Sequence, residues 1–174
     1  MSDTLPLYDP QSGSHEPLQL LHVFLSCRMT ASDATEQENN DLSDVFRVGD
    51  FLFGGTFEGA LSILDASLTL VTRVTSAPSQ RTAYLVTSSG RQAATYLCLI
   101  PTTSKQRNTS PINGVYYCSC RSFMEKNSRT QFTQPCKHLL ALVLLPHVGA
   151  KCNTIETLTD EEFGRLLVNR GSPS

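Results

Sequence analysis

The chain of 174 residues lacks several features that would assign it to a common class. Its longest apolar run, LLALVLL at 139–145, covers seven positions, whereas a bilayer-spanning helix needs about 20. The opening stretch MSDTLPLYDP is acidic and has no apolar core of the kind a secretory leader carries. The expectation is an intracellular protein without a membrane partner, in which thiols stay reduced. Six cysteines then do not imply disulfides, and the sequon Asn108-Thr109-Ser110 carries no glycosylation reading. There is no G-x-x-x-x-G-K-[ST] phosphate loop, so any ATP binding would belong to another chain. No internal repeat is visible. A Cys136/His138 nucleophile–base pair fits poorly, since the two side chains diverge on a helix and no orienting acid or oxyanion motif is visible.

What is present is ordinary in bulk and uneven in distribution. Apolar residues make up 40%, enough for one folded domain with some additional tail. The net charge of −2 hides a polarity. Residues 1–66 carry eleven acids against Arg28 and Arg47, while residues 67–140 carry nine bases against Glu125 alone. That arrangement predicts an acidic face for a partner and a basic face for polyanions; the alternative is two oppositely charged surfaces that only solvate the fold.

Residues 1–41 are expected to be a poorly ordered acidic region. Within it, Leu18, Leu21, Phe24 and Leu25 mark a possible short helix over 16–29, and the polar segment 30–41 reads as a flexible linker. The folded domain is expected over 42–174. Apolar residues at 42, 45, 46, 52 and 53 predict a helix that Gly54-Gly55 stops, and TFEGALSILD restarts the pattern with Thr56 as its cap. The period then falls to 2 in LTLVTRVT (68–75), TAYLVTS (82–88) and ATYLCLI (94–100), with VYYC (115–118) as a fourth strand. These predict an antiparallel meander of three to four strands, with residues 101–114 as a loop. CKHLLALVLL, opened after Pro135 and closed near Pro146, reads as a buried helix. A C-terminal helix starts at Thr159, where Glu162 completes a capping box and Leu158 and Phe163 are placed for a hydrophobic staple. The fold class is α+β.

Three of the six cysteines and one of the four histidines fall between 116 and 145, as Cys118-x-Cys120 and Cys136-x-His138. Zinc takes four thiolate or imidazole ligands in a tetrahedron. Period 2 puts Cys118 and Cys120 on one face of a strand, where a slight turn lets their sulfurs converge. Cys136 and His138 would diverge on a regular helix, so Cys136 is expected just before or at its first turn and His138 inside it. There the free N–H groups and the dipole help hold a thiolate. The expected result is one structural Zn2+ pinning a sheet to a helix, with no coordination position left open. Free core cysteines beside a surface histidine, or a redox Cys-x-Cys, remain the competing readings; His147 is a candidate replacement ligand. Cys27, Cys98 and Cys152 are read as buried or incidental thiols.

Cys-x-Cys, a variable spacer and Cys-x-His before an apolar helix together resemble the SWIM-type zinc finger, with its core at 115–148. FLFGGTFEGALSILD, the strand TYLCLI, YYCSC and CKHLLA resemble, in order and spacing, one subfamily: the small SWIM-domain subunits of the Shu complex. The resemblance covers roughly residues 45–168. Arg121-Ser122 stand where that subfamily has Pro-Ala, and the 101–114 loop is longer. The resemblance implies a non-catalytic protein, not an enzyme: an obligate nuclear partner of a RecA-type recombinase paralogue, acting in homologous recombination on recombinase filaments at single-stranded DNA. A SWIM-type adaptor of a ubiquitin ligase is the alternative. The polar segments around the finger place Lys105, Arg107, Arg121, Lys126 and Arg129 as candidate DNA contacts, with weak, sequence-independent binding expected.

Overall fold

In a computed structural model, the structure describes Leu21, Leu25 and residues 38–88, 93–101, 116–128, 134–152 and 154–171, apart from the side chains of 38–42, 68, 154–156 and 171. Two helices open the described chain: α1 (Glu38–Phe53) and α2 (Gly55–Asp65). They are separated at Gly54, whose φ of 49° lies in the left-handed region where glycine carries no Cβ penalty. Gly54, and not Thr56 as the sequence suggested, caps α2; its carbonyl accepts from Phe57 N at 2.8 Å. Leu21 and Leu25, placed on one face of the possible helix at 16–29, are helical and buried in the main core, within the region otherwise read as poorly ordered.

The strand expected from 68 begins only at 71. Ser67–Leu70 forms a single helical turn, α3, because Thr69 N and Leu70 N both donate to Ala66 O, as does the Thr69 hydroxyl. Strands β1 (Val71–Ser76), β2 (Thr82–Thr87), β3 (Thr95–Leu99) and β4 (Tyr117–Cys118) then pair antiparallel in sequence order. The sheet is nevertheless mixed, which corrects the purely antiparallel expectation. β5 (Thr154–Leu158) lies along β1 in parallel, from Thr72↔Thr154 to Ser76↔Leu158, giving the order β4-β3-β2-β1-β5. A parallel neighbour needs a long crossover, which the segment from β2 through the buried helix provides. Also unanticipated is a short helix α4 (Arg121–Asn127) inside the spacer between the two ligand pairs.

Alternation along the strands sorts side chains to two faces. Val71, Tyr84, Val86, Tyr96 and Cys98 face the main core, with α2 and α5 (Lys137–Leu144) against them. Val74, Ala83, Leu97 and Leu99 face the other way, under Phe163, Leu166 and Leu167 of α6 (Asp160–Gly171). The capping box stands as read: Thr159 N donates to Glu162 Oε2 at 2.9 Å and Glu162 N to Thr159 Oγ1 at 3.3 Å. Leu158 and Phe163 share the second core, as a staple requires. Every residue of α5 after Lys137 is buried, so the longest apolar run is consumed by the protein's own core. Among the described residues no helix is long and apolar enough to cross a membrane.

Candidate metal centre

The two ligand pairs arrive on different elements. Cys118 ends β4, opposite Cys98 of β3. The chain then leaves the sheet at Ser119, a buried residue that substitutes for a ladder partner: Ser119 N donates to Leu97 O at 2.9 Å and Leu97 N donates to Ser119 Oγ at 3.0 Å. That bend carries Cys120 off the strand to become the N-cap of α4, where its sulfur accepts from Phe123 N at 3.4 Å. The other end of the spacer is tied back by Asn127. Its side chain donates to Phe123 O at 2.8 Å and Gln134 O at 3.0 Å, and accepts from Gln134 N at 2.7 Å. Cys136, two residues further on, is the N-cap of α5, and His138 sits in the first turn. The expected placement of that pair is therefore the one found.

The donor atoms of Cys118, Cys120, Cys136 and His138 all lie within 4.8 Å of one another, and all four residues are buried. His138 Nδ1 is 3.7 Å from Cys118 Sγ and 3.8 Å from Cys136 Sγ. Ligands about 2.3 Å (sulfur) and 2.0–2.1 Å (nitrogen) from a tetrahedral zinc stand about 3.6–3.8 Å apart; the two His138–sulfur distances match that spacing, and the whole set lies within an ångström or so of it. The electrostatics agree. The three thiols perturb one another strongly. The hydrogen bond from Cys118 drives the Cys120 thiol far below its ordinary value, and Cys136 adds to the effect. Cys118 and Cys136 are pushed far up, mainly by their interactions with Cys120 and Cys118 respectively. Burying three thiolates together is tolerable only with a metal to neutralise them.

Two neighbours were not identified in the sequence. Cys98 Sγ lies 3.4 Å from Cys118 Sγ, and burial raises its pKa. The Tyr96 ring lies on His138, with centroids 4.6 Å apart and planes at 33°. The period-2 pattern of TYLCLI carries the signal, since it puts residues 96 and 98 on one face beside the strand that ends in Cys118. Cys152 and His147 stand outside the cluster, and burial lowers the His147 pKa. Cys27 lies outside the described residues.

Of the candidate DNA contacts, Lys105, Arg107 and Arg129 lie outside the described residues. Arg121 and Lys126 both stand on α4. Arg121 is exposed and paired with Glu125 at 2.6 Å, and Lys126 Nζ reaches Thr56 Oγ1 at 3.5 Å. Of the aromatics beside the finger, Phe123 is buried, with Tyr117 edge-on to it at 6.0 Å, and Tyr116 packs against the core.

A buried Cys3His set that joins a sheet edge to the start of an apolar helix, with a Cys-x-Cys and a Cys-x-His pair, defines a SWIM-type zinc finger. The chain is 31% identical over 137 residues to human zinc finger SWIM domain-containing protein 7, across 78% of its own length and 83% of that protein's. It belongs to the SWIM zinc-finger domain proteins. No protein-family model matches it, and no solved structure does.

Proposed function

We propose that the protein is a non-catalytic, zinc-binding subunit of a nuclear DNA-repair complex. It joins a RecA-type recombinase paralogue, and together they assemble or stabilise recombinase filaments on single-stranded DNA during homologous recombination. The observation that carries this reading is the closed donor set. Three thiolates and an imidazole fill all four positions of one tetrahedral zinc, leaving none for substrate or an activated water. The ion is then structural, and the work of the chain is binding.

Two further features support it. The similarity to the SWIM relative runs over 137 residues, far beyond the finger, in keeping with the order and spacing shared with the small Shu-complex subunits. Apolar side chains also remain outside the cores: Phe51 on α1 is 87% exposed and Val168 on α6 is 73% exposed. These side chains are available for contact with a partner. DNA contact is weak and electrostatic, through Arg121 and Lys126 with Lys105, Arg107 and Arg129.

The test is recovery of the tagged chain from nuclear extract, with mass spectrometry of what accompanies it. A recombinase paralogue in near-stoichiometric amount is expected. Cullin subunits in its place would make the protein a ubiquitin-ligase adaptor, and neither would end the partner assignment.

A further inference from the structure

The metal centre lies at the side of an open cleft of about 420 Å³ between the starts of α2, α4 and α5. Its lining includes Thr56 from α2, Arg121 and Ser122 from α4, Lys137 and His138 from α5, and Tyr96 from β3. Lys137 is exposed, and its stem lies along α2 at Gly59, where an added Cβ would stand 3.1 Å from Lys137 Cδ. Arg121 is 82% exposed on the opposite wall. Lys126 bridges the rim to Thr56 at 3.5 Å.

Three independent features of this cleft favour an anion with several acceptor oxygens. The first is charge. The lining carries two cations, Arg121 and Lys137, and no carboxylate beside a Cys3His centre of formal charge about −1 with zinc; Glu125, paired with Arg121, and Glu58 in the first turn of α2 lie outside it. The second is backbone polarity. Neither Gly54, capping α2, nor Cys136, capping α5, makes a side-chain cap hydrogen bond, so the first-turn N–H groups at Gly55, Thr56, Lys137 and His138 open beside the cleft without one. The third is His138 itself. Its Nδ1 faces the sulfurs, so with metal bound there the neutral ring carries its proton on Nε2. Ligating histidines ordinarily donate that proton to a carboxylate, a carbonyl or water. Here His138 is 4% exposed and its Nε2 is buried with no hydrogen-bond partner among the described residues. Charge neutralisation alone would not require that orphaned donor or the two hydroxyls.

We infer that the cleft seats a backbone phosphate of single-stranded nucleic acid, held by Arg121 and Lys137 at its walls, by the Thr56 and Ser122 hydroxyls, and by the His138 Nε2–H. The seat rests on the nucleic-acid reading above and adds to it a place and a donor set. It also links the zinc to binding, because the metal fixes the tautomer that presents the donor.

The test uses the full chain, zinc-loaded and in the complex it co-purifies with, and a labelled oligothymidylate followed by fluorescence anisotropy across a salt series. Arg121→Gln and Lys137→Gln each weaken binding about fivefold to tenfold at low salt, as expected for a charged contact. Together they flatten the salt dependence by about 0.7, the value for loss of one phosphate contact on a single strand. Lys151→Gln, an exposed lysine away from the cleft, changes binding less than about twofold. Zinc content is measured on every variant, and Arg121→Gln on the exposed wall carries the test if Lys137→Gln disturbs packing against α2. In parallel, the His138 Nε2–H resonance shifts on adding the oligonucleotide. Cleft variants no weaker than Lys151→Gln overturn the seat while leaving nucleic-acid binding intact. An Nε2–H that responds to inorganic phosphate but not to the oligonucleotide overturns it too, as a free-anion site. Wild-type complex that binds no oligonucleotide at low salt removes the nucleic-acid reading, and the seat with it.

Discussion

Replacing Gly49 by alanine tests how α1 is held against α2. Gly49 lies buried inside α1, where alanine is ordinarily preferred to glycine by about 1 kcal/mol. Its neighbour reverses that preference. A Cβ built there would stand 2.1, 2.4 and 2.6 Å from Cε2, Cζ and Cδ2 of Phe57, whose ring is 2% exposed and has Phe46 edge-on at 6.1 Å. Carbon atoms pack at about 3.5–4.0 Å, so the ring or the helix must move by more than an ångström. Overpacking of this kind costs about 1–3 kcal/mol, and expelling the ring would cost about 3–5. A 2.1 Å approach is too short for small adjustments, so displacement of the ring is the expected outcome, and after the helix-propensity gain of about 1 kcal/mol the net loss is about 2–4 kcal/mol, or roughly 5–15 °C in a chain of this size. Gly55→Ala is the matched control: nothing lies within 4 Å of its Cβ position, so a change of about 0.5 kcal/mol at most is expected, in the stabilising direction. Urea and thermal unfolding of the zinc-loaded protein measure both. In the Gly49→Ala background, Phe57→Leu should cost far less than it does alone, because it removes the clash. Gly49→Ala as stable as the wild type would refute the close approach of α1 and Phe57.

Cys136→Ser should lose zinc and become protease-sensitive, because metal binding and folding are coupled, whereas Cys152→Ser, outside the cluster, keeps both zinc and resistance; metal analysis and limited trypsinolysis read this out. Asp160 accepts hydrogen bonds from the Ser76 hydroxyl and from Ser79 at 2.6 Å, and these hold its carboxyl below the ordinary range. The contribution is present above the unfolded carboxyl pKa and is lost as pH falls through the lower folded value, so Asp160→Asn should lower the melting temperature at neutral pH but much less in acid. Changing Lys105, Arg107, Lys126 and Arg129 together to alanine should weaken oligonucleotide binding and reduce its salt slope; unchanged affinity and slope would assign DNA contact to the partner. The isolated chain should be poorly soluble and gain melting temperature with a recombinase paralogue; size-exclusion chromatography showing a well-behaved monomer, with no such gain, would contradict this.

The parts of the fold that could be read from sequence are those whose signals are local. Thr159 and Glu162 sit three residues apart and bond reciprocally, so α6 was placed by its cap. Gly54 marks the break between α1 and α2, although the helix begins two residues earlier than Thr56 as a cap suggested. Leu68 and Leu70 alternate as in a strand, yet three hydrogen bonds to Ala66 O curl that segment into a turn. The start of α4 was hidden because its cap is Cys120, a residue with no usual capping preference, acting through its sulfur. β5 was missed because its partner, β1, lies some eighty residues upstream. Alternation in TIETL is visible, but no turn signal announces a parallel neighbour at that distance. The ligand set was legible because two tight pairs of soft donors have few alternative uses. Its surroundings depended on register: Cys98 faces Cys118 only once β3 and β4 are aligned, and the Ser119 bend exists only against Leu97.

The central claim is that Cys118, Cys120, Cys136 and His138 together hold one zinc. Native mass spectrometry of protein purified without chelator, paired with the absorption spectrum after cobalt substitution, tests it most directly. The account predicts one metal per chain and a tetrahedral cobalt spectrum with sulfur charge-transfer bands, both lost in Cys118→Ser and His138→Ala and retained in Cys98→Ala. Wild-type protein that is folded and free of zinc, or a His138→Ala variant with unchanged metal content and spectrum, would contradict it.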